Sequence, residues 1–199
     1  MSKSRTFITY VEDRPGVLNR VVSLFRRRGY NIESLTVGRT ARPEVSRITL
    51  VVEADDDTAR RIEANLYKLV NVLYVADVTH AAAVVRELAI IKVAAENGKR
   101  AEILQLCEVF RARVVDLGPD SLSLEATGTP DKIDGLVDVL RPFGLIEMVR
   151  TGTVAMLRCQ ADQDIDQAQA PDRTWPGRDL ERGREPQLTS TDEGDIAAA

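Results

Sequence analysis

Residues 11–36 contain the side chains whose types and spacing suit the binding of a small amino acid. Asp13 and Gly16 precede an apolar periodic stretch, and Asn31 follows it. Unpaired N–H groups at the start of a helix attract a carboxylate, and Gly16 has no Cβ to keep a ligand from the backbone. Asp13 offers acceptors to an ammonium group, and Asn31 offers a donor and an acceptor. We therefore expect these groups to lie near one another, with no group suited to bond-breaking chemistry.

Three apolar residues, Val17, Leu18 and Ile32, complete this hypothesis by forming an aliphatic wall. A carboxylate, an ammonium group and a branched side chain would then each meet a matching protein group. The alternative interpretation is structural: Asp13 is a turn residue, Gly16 allows tight packing and Asn31 begins a strand. The residues alone leave both interpretations open.

A strand and a helix must position these groups. Residues 6–11 form a short apolar strand, and Pro15 has the fixed φ suited to the first helical position. Apolar residues recur from Val17 with the spacing of an amphipathic helix. Arg26 to Arg28 favour the negative end of the helix dipole, and Gly29 can supply a left-handed cap. A solvated helix end explains these arginines better than a phosphate site does.

The order of elements repeats along the chain. Strand, helix, two strands, helix and strand follow one another in residues 5–80, and the same order recurs in residues 84–158, with a single last strand expected over 145–157. This βαββαβ order is the split βαβ arrangement. We therefore predict an α+β protein of two ferredoxin-like domains, which a duplication explains.

Residues 160–199 depart from this pattern. They contain 4 Arg against 10 Asp plus Glu, and Pro, Gly and Gln break any periodicity. Such a segment buries too little apolar surface to offset its ordering entropy, so the sequence predicts a disordered acidic tail. Trp175 is either an isolated hydrophobe in this tail or an anchor for a partner.

The composition excludes several classes of function. The 199 residues include two cysteines, Cys107 and Cys159, and one histidine, His80, which are too few for a disulfide framework or a His-rich metal site. Glu12 and Asp13 are adjacent, and adjacent residues of a strand point to opposite faces. No Gly-rich phosphate loop, nucleophile elbow, basic stripe or apolar run of roughly 18 residues occurs. We expect no catalytic residue, metal, nucleic acid or membrane, and a cytoplasmic location.

The chain also resembles a known family. Residues 12–18 resemble the ligand loop of ACT domains, which are βαββαβ amino-acid sensors. Residues 29–37 are similar to the regulatory (small) subunit of acetolactate synthase, as are residues 46–49, 66–72 and 86–93. The resemblance covers about residues 5–158 and identifies an N-terminal ACT domain followed by a small-subunit domain.

This resemblance implies a regulatory function. In the family, the small subunit has no active site. It activates a catalytic subunit that carries thiamine diphosphate, Mg and FAD, and it transmits feedback inhibition, usually by valine. The effector lies between the ACT domains of two chains of a homodimer. The positions that match the family's effector-binding residues are Asp13, Gly16, Val17, Leu18, Asn31 and Ile32.

The chain departs from the family pattern at Asp13 and in its extended acidic tail, which inherits no role, and its second repeat differs from the first. Several relatives have Asn at the position of Asp13, whose charge would favour an effector's ammonium group and repel its carboxylate. In the second repeat, residues 97–99 replace residues 14–16 and Asp116 replaces Asn31, so sensing is expected in the first domain. The alternative hypothesis is a stand-alone ACT sensor that regulates a different enzyme.

Overall fold

The computed structural model describes residues 3–95 and 98–159. The predictions for residues 160–199, Trp175 included, lie outside this range. The first half of the described chain consists of β1 (Lys3–Glu12), α1 (Val17–Arg28), β2 (Ile32–Arg39), β3 (Val45–Ala54), α2 (Asp56–Leu66) and β4 (Val72–Asp77). The second half consists of β5 (Ala83–Ala94), α3 (Arg100–Phe110), β6 (Arg113–Leu117), β7 (Ser121–Gly128), α4 (Pro130–Gly144), β8 (Leu145–Arg150) and β9 (Val154–Leu157).

Each half folds as an antiparallel sheet with two helices. The strand order is β2-β3-β1-β4 in the first sheet and β6-β7-β5-β8 in the second, where β9 also pairs with β5. One apolar core lies between each sheet and its helices, with Phe7, Phe25 and Ile62 in the first and Ile91 and Leu136 in the second. The predicted α+β architecture of two ferredoxin-like domains is confirmed.

Local sequence signals explain how the helices begin and end. Gly29 ends α1 in the left-handed conformation at φ 70°, as predicted. Asp55 caps α2, because its carboxylate accepts a hydrogen bond from the backbone N–H of Thr58 at 2.8 Å. The hydrogen bonds from Thr58 also lower the pKa of Asp55. These caps satisfy backbone groups that the helices leave unpaired.

The predicted position of Pro15 is wrong. Helix α1 begins at Val17, and Gly16 precedes it as the N-cap with φ 84°. A residue in the left-handed region cannot continue a right-handed helix, so Pro15 lies in the turn before α1. The N–H of Val17 bonds to the carbonyl of Arg14 at 3.3 Å and closes this turn.

The single last strand expected over 145–157 is two strands. β8 pairs with the second part of β5, and β9 pairs with the first part, from Ala83 to Arg86. Residues 151–153 separate β8 from β9, and Gly152 has φ 82°. This break turns β9 onto the first domain, where Ala155 packs with Ile8 and Ala76 on the face of the first sheet away from its helices.

Residues 151–153 form what we call the interdomain joint. The N–H of Thr153 donates to Ser34 Oγ at 2.8 Å, and Thr36 Oγ1 donates to the carbonyl of Thr151 at 3.5 Å. The hydroxyl of Thr153 donates to Glu87 Oε1 at 2.6 Å within the interior. The joint therefore ties strand β2 of the first domain to strand β5 of the second. Within the described ranges, no helix has the length and apolar character needed to span a membrane.

Candidate functional site

The loop between β1 and α1 is held by a hydrogen-bond network. Asn71, which is buried, donates to Glu12 Oε2 at 2.6 Å and accepts from Arg20 Nη1 at 2.5 Å. The backbone N–H of Glu12 bonds to the carbonyl of Asn71 at 3.0 Å. Arg14 Nε lies 3.3 Å from Glu12 Oε2. The loop is therefore anchored at its start, where β1 ends, by the residue that precedes β4.

Asp13 has two partners from the neighbouring strands. Its Oδ1 accepts from Ser46 Oγ at 3.1 Å, and its Oδ2 lies 3.2 Å from Arg39 Nε. The backbone N–H of Asp13 also bonds to the carbonyl of Glu44 at 2.7 Å. Because Arg39 balances the charge of Asp13, the repulsion that this carboxylate exerts on a nearby anion is reduced.

Gly16 and the first turn of α1 form an open backbone surface. A Cβ built on Gly16 would meet no atom within 4 Å, so the alternative that Gly16 serves tight packing is wrong. The positive φ of Gly16 is instead the local requirement for glycine. The N–H groups of Leu18 and Asn19 have no acceptor among the described residues. This first turn can therefore accept an anion.

The two apolar residues after Gly16 lie in different surroundings. Val17 is 5% exposed and belongs to the core of the first domain. Leu18 is 40% exposed and borders the open backbone surface. The side chain of Leu18 is therefore more accessible to a ligand than that of Val17.

Asn31 and Ile32 lie at the opposite end of the first sheet from Gly16. The exposed Asn31 immediately precedes β2, and the half-buried Ile32 packs against the first core. Both β1 and β2 pair with β3. Ile32 of β2 lies opposite Val52, near one end of β3, whereas Glu12 of β1 lies opposite Val45, at the other end. Helix α1 has 12 residues, which corresponds to about 18 Å between the two ends. The expectation that these groups lie near one another is therefore wrong for a single chain.

The start of α3 in the second domain has a cation where α1 of the first domain has none. Arg100, at the start of α3, donates to the carbonyl of Ala95 at 3.3 Å and to that of Gly118 at 2.6 Å. It also donates to the carbonyl of Pro119. The guanidinium of Arg100 thus bridges the end of β5 and the turn between β6 and β7.

The remaining candidates for chemistry have structural partners. His80 Nε2 lies 3.2 Å from Arg5 Nη1, and burial raises the pKa of the Cys107 thiol, which disfavours a reactive thiolate. Over residues 3–95 and 98–159, no group of three or more His, Cys, Asp or Glu side chains could hold a metal ion.

Several residues around the loop were missed by sequence reasoning. Ser46 and Asn71 contact Asp13 and Glu12 across sequence separations of 33 and 59 residues. Arg20 lies in α1 and Arg39 lies in β2. The apolar periodicity of these elements predicts only that the two side chains are exposed, not which residues they contact. No local pattern marks such long-range partners, because the contacts exist only once the strands are side by side.

Two family models match the chain. The model described as the AHAS small subunit-like ACT domain matches residues 7–74. The model described as the small subunit of acetolactate synthase matches residues 86–159. One model therefore covers most of the first domain, and the other covers most of the second.

Individual proteins give the same result over both domains. The chain is 48% identical over 153 residues to the probable acetolactate synthase small subunit of Archaeoglobus fulgidus, spanning 77% of this chain and 96% of that protein. It is 46% identical over 156 residues to the acetolactate synthase small subunit of Mycobacterium bovis, spanning 78% and 93%. The crystal structure of the acetolactate synthase small subunit from Thermotoga maritima matches with a TM-score of 0.73 and 38% identity, covering 78% of this chain and 98% of that chain.

Proposed function

The chain belongs to the family of acetolactate synthase small subunits, the regulatory subunits of that enzyme, and we propose that it makes the catalytic subunit sensitive to valine or another branched-chain amino acid. We also propose that it raises the activity of that subunit and acts in branched-chain amino acid biosynthesis. Thiamine diphosphate, Mg and FAD are assigned to the catalytic subunit, and this chain contributes no catalytic group.

The separation of Gly16 from Asn31 is the observation that carries the proposal. If β2 of one chain pairs antiparallel with β2 of a second copy, each Asn31 is placed near the other chain's loop. β2 lies at an edge of the first sheet, so it can accept such a strand. Leu18, Val22 and Val37 are each at least 37% exposed on α1 and β2, which supports a homodimer through the ACT domains.

The effector would lie between the two chains. Its carboxylate would bind the N–H groups of the first turn of α1, after Gly16, and its ammonium group would bind the side-chain carbonyl of Asn31 from the second copy. The branched side chain would contact Leu18 of one chain and Ile32 of the other. Asp13, whose charge Arg39 balances, would lie beside the ammonium group without preventing the carboxylate from binding.

Binding between two chains suggests how the signal arises. An effector that contacts both chains favours the dimer arrangement in which both halves of the site meet. The catalytic subunit would respond to that arrangement. Because the coupling is reciprocal, the catalytic subunit must change the affinity for the effector by the same factor.

A reconstituted assay tests the proposal directly. Acetolactate formation by the cognate catalytic subunit is measured with and without this chain, and then with valine, leucine or isoleucine in turn. We expect activation by the chain and inhibition by at least one of the three. One methylene group is worth only about 1–3 kcal/mol in an apolar pocket, so the three should differ by degree. No change in activity, combined with direct binding of an amino acid to the chain, would instead indicate a sensor for another enzyme.

Deletion of residues 160–199 is expected to leave folding and activation unchanged. The described contacts of both cores and of the interdomain joint lie within residues 3–159. The truncated chain should therefore unfold at the same temperature as the full chain, measured by circular dichroism, and activate the catalytic subunit equally. A lower unfolding temperature would show that the tail is structural.

A further inference from the structure

A second concave site lies between helices α1 and α2 of the first domain. We call it the basic cleft. It has a volume of about 470 Å³, and its lining residues are Arg28, Tyr30, Arg61, Ala64, Asn65 and Lys68. None of these residues belongs to the proposed effector site.

All the polar side chains that line the basic cleft can donate hydrogen bonds. Arg28, Arg61 and Lys68 are cations, and no carboxylate is among the lining residues. Asn65 is 7% exposed, and its Oδ1 accepts from Lys68 Nζ at 3.3 Å. Its amide N–H groups then remain as donors. The half-buried Tyr30 packs edge-on against Phe25, with ring centroids 5.9 Å apart, and adds a hydroxyl and an apolar wall.

The cations of the basic cleft differ from their neighbours along the helices. Arg60 pairs with Asp57, and Arg27 donates to the carbonyl of Ser23 at 3.3 Å. In contrast, neither Arg28 nor Arg61 lies within 4.0 Å of a carboxylate oxygen in the described ranges, although the charge of Arg61 helps to lower the pKa of Asp55. The helix dipole accounts for Arg28, which ends α1, but not for Arg61, which lies in the middle of α2.

We propose that the basic cleft binds a multiply charged phosphate, either inorganic or carried by a nucleotide. Three exposed cations around one cleft give it a positive potential that attracts an anion, and water and salt screen their mutual repulsion. A single carboxylate is satisfied by one bidentate arginine, whereas a di- or triphosphate carries charge and acceptors enough for all three cations. A planar base could lie against the ring of Tyr30, so a nucleotide would fit the same donors.

Calorimetric titration of the full chain with pyrophosphate, tripolyphosphate and a nucleoside triphosphate tests this proposal. We expect saturable binding that weakens as salt is raised. The double variant Arg28→Gln/Arg61→Gln should bind at least about tenfold more weakly, because two charge-assisted hydrogen bonds are lost. Arg60→Gln is the matched control, because Arg60 lies next to Arg61 but pairs with Asp57, and it should bind like the wild type.

Three outcomes would overturn the proposal: no saturable binding of any of the three phosphate compounds, equal affinity in the double variant and in Arg60→Gln, or equal binding of the unphosphorylated nucleoside, titrated in parallel. Similar affinity for tripolyphosphate and the nucleoside triphosphate would support an inorganic phosphate site, and tighter binding of the latter would support a nucleotide site. All the substituted residues are exposed, so the variants should fold.

Discussion

Gly16→Asp is expected to abolish inhibition by the branched-chain effector and to leave activation of the catalytic subunit largely intact. The new carboxylate would occupy the open space beside the first turn of α1, where the carboxylate of the effector is expected. Two like charges in contact cost several kcal/mol, so affinity should fall by about 100-fold or more. The measurement is inhibition of the reconstituted enzyme, together with calorimetric binding of valine to the isolated chain.

Gly16→Ala separates the effect of charge from the effect of backbone conformation. Alanine at φ 84° suffers left-handed strain of about 1–2 kcal/mol, at least as much as aspartate does, but it adds no charge and its Cβ meets no atom within 4 Å. It should therefore lower the unfolding temperature much as aspartate does and still permit inhibition. If Gly16→Asp remained as sensitive to valine as the wild type, the effector would have to bind elsewhere.

Gly152→Ala is expected to cause a large loss of stability, because it disrupts the interdomain joint. A Cβ at Gly152 would lie 2.6 Å from Ser34 Oγ and 3.1 Å from Thr36 Oγ1, and φ is 82°. Left-handed strain and overpacking together should cost about 2–4 kcal/mol. The unfolding temperature should fall by roughly 5–15 °C, measured by differential scanning calorimetry.

Two further variants make this prediction specific to the joint. Gly38 lies in β2, as Ser34 does. A Cβ added at Gly38 would meet no atom within 4 Å, and the φ of Gly38 is not positive, so Gly38→Ala should be nearly neutral. Ser34→Ala removes the hydroxyl that would clash with the Cβ added at Gly152 and that accepts from the N–H of Thr153. The double variant Ser34→Ala/Gly152→Ala should thus be more stable than the sum of the two single effects predicts. Equal stabilities of Gly152→Ala and Gly38→Ala would refute this description of the joint.

Glu87 and Arg150 extend the joint into the second domain. Glu87 is 7% exposed, and its Oε2 accepts from Arg150 Nε at 3.0 Å. Arg150 also donates to Asp134 Oδ1, on α4, at 2.6 Å. Burial alone lowers the pKa of Arg150, but the hydrogen bonds to Asp134 and Glu87 outweigh it and raise the pKa. The contact between Ser34 and Thr153 is therefore connected to a helix of the second domain.

The elements and their order could be predicted from local sequence, because the signals are local. Apolar periodicity from Val17 predicted α1, and Gly29 marked its αL cap. These signals depend on residues a few positions apart, so they can be recognised without knowledge of the fold. The prediction that Pro15 is the first helical residue was wrong although it also rested on local sequence. A turn with Gly16 in the left-handed region competes with a helix that would begin at Pro15.

Which residues meet became known only from the packed domains. Gly16 and Asn31 are close in sequence, but the helix between them spans the sheet and places them at opposite ends. The proposed effector site therefore draws on a second chain. Arg28 and Arg61 are far apart in sequence, yet α1 and α2 bring them to one cleft. The fold and the family could be read from the chain, because those follow from local patterns and similarity. Distances between elements follow from packing, which no local pattern records.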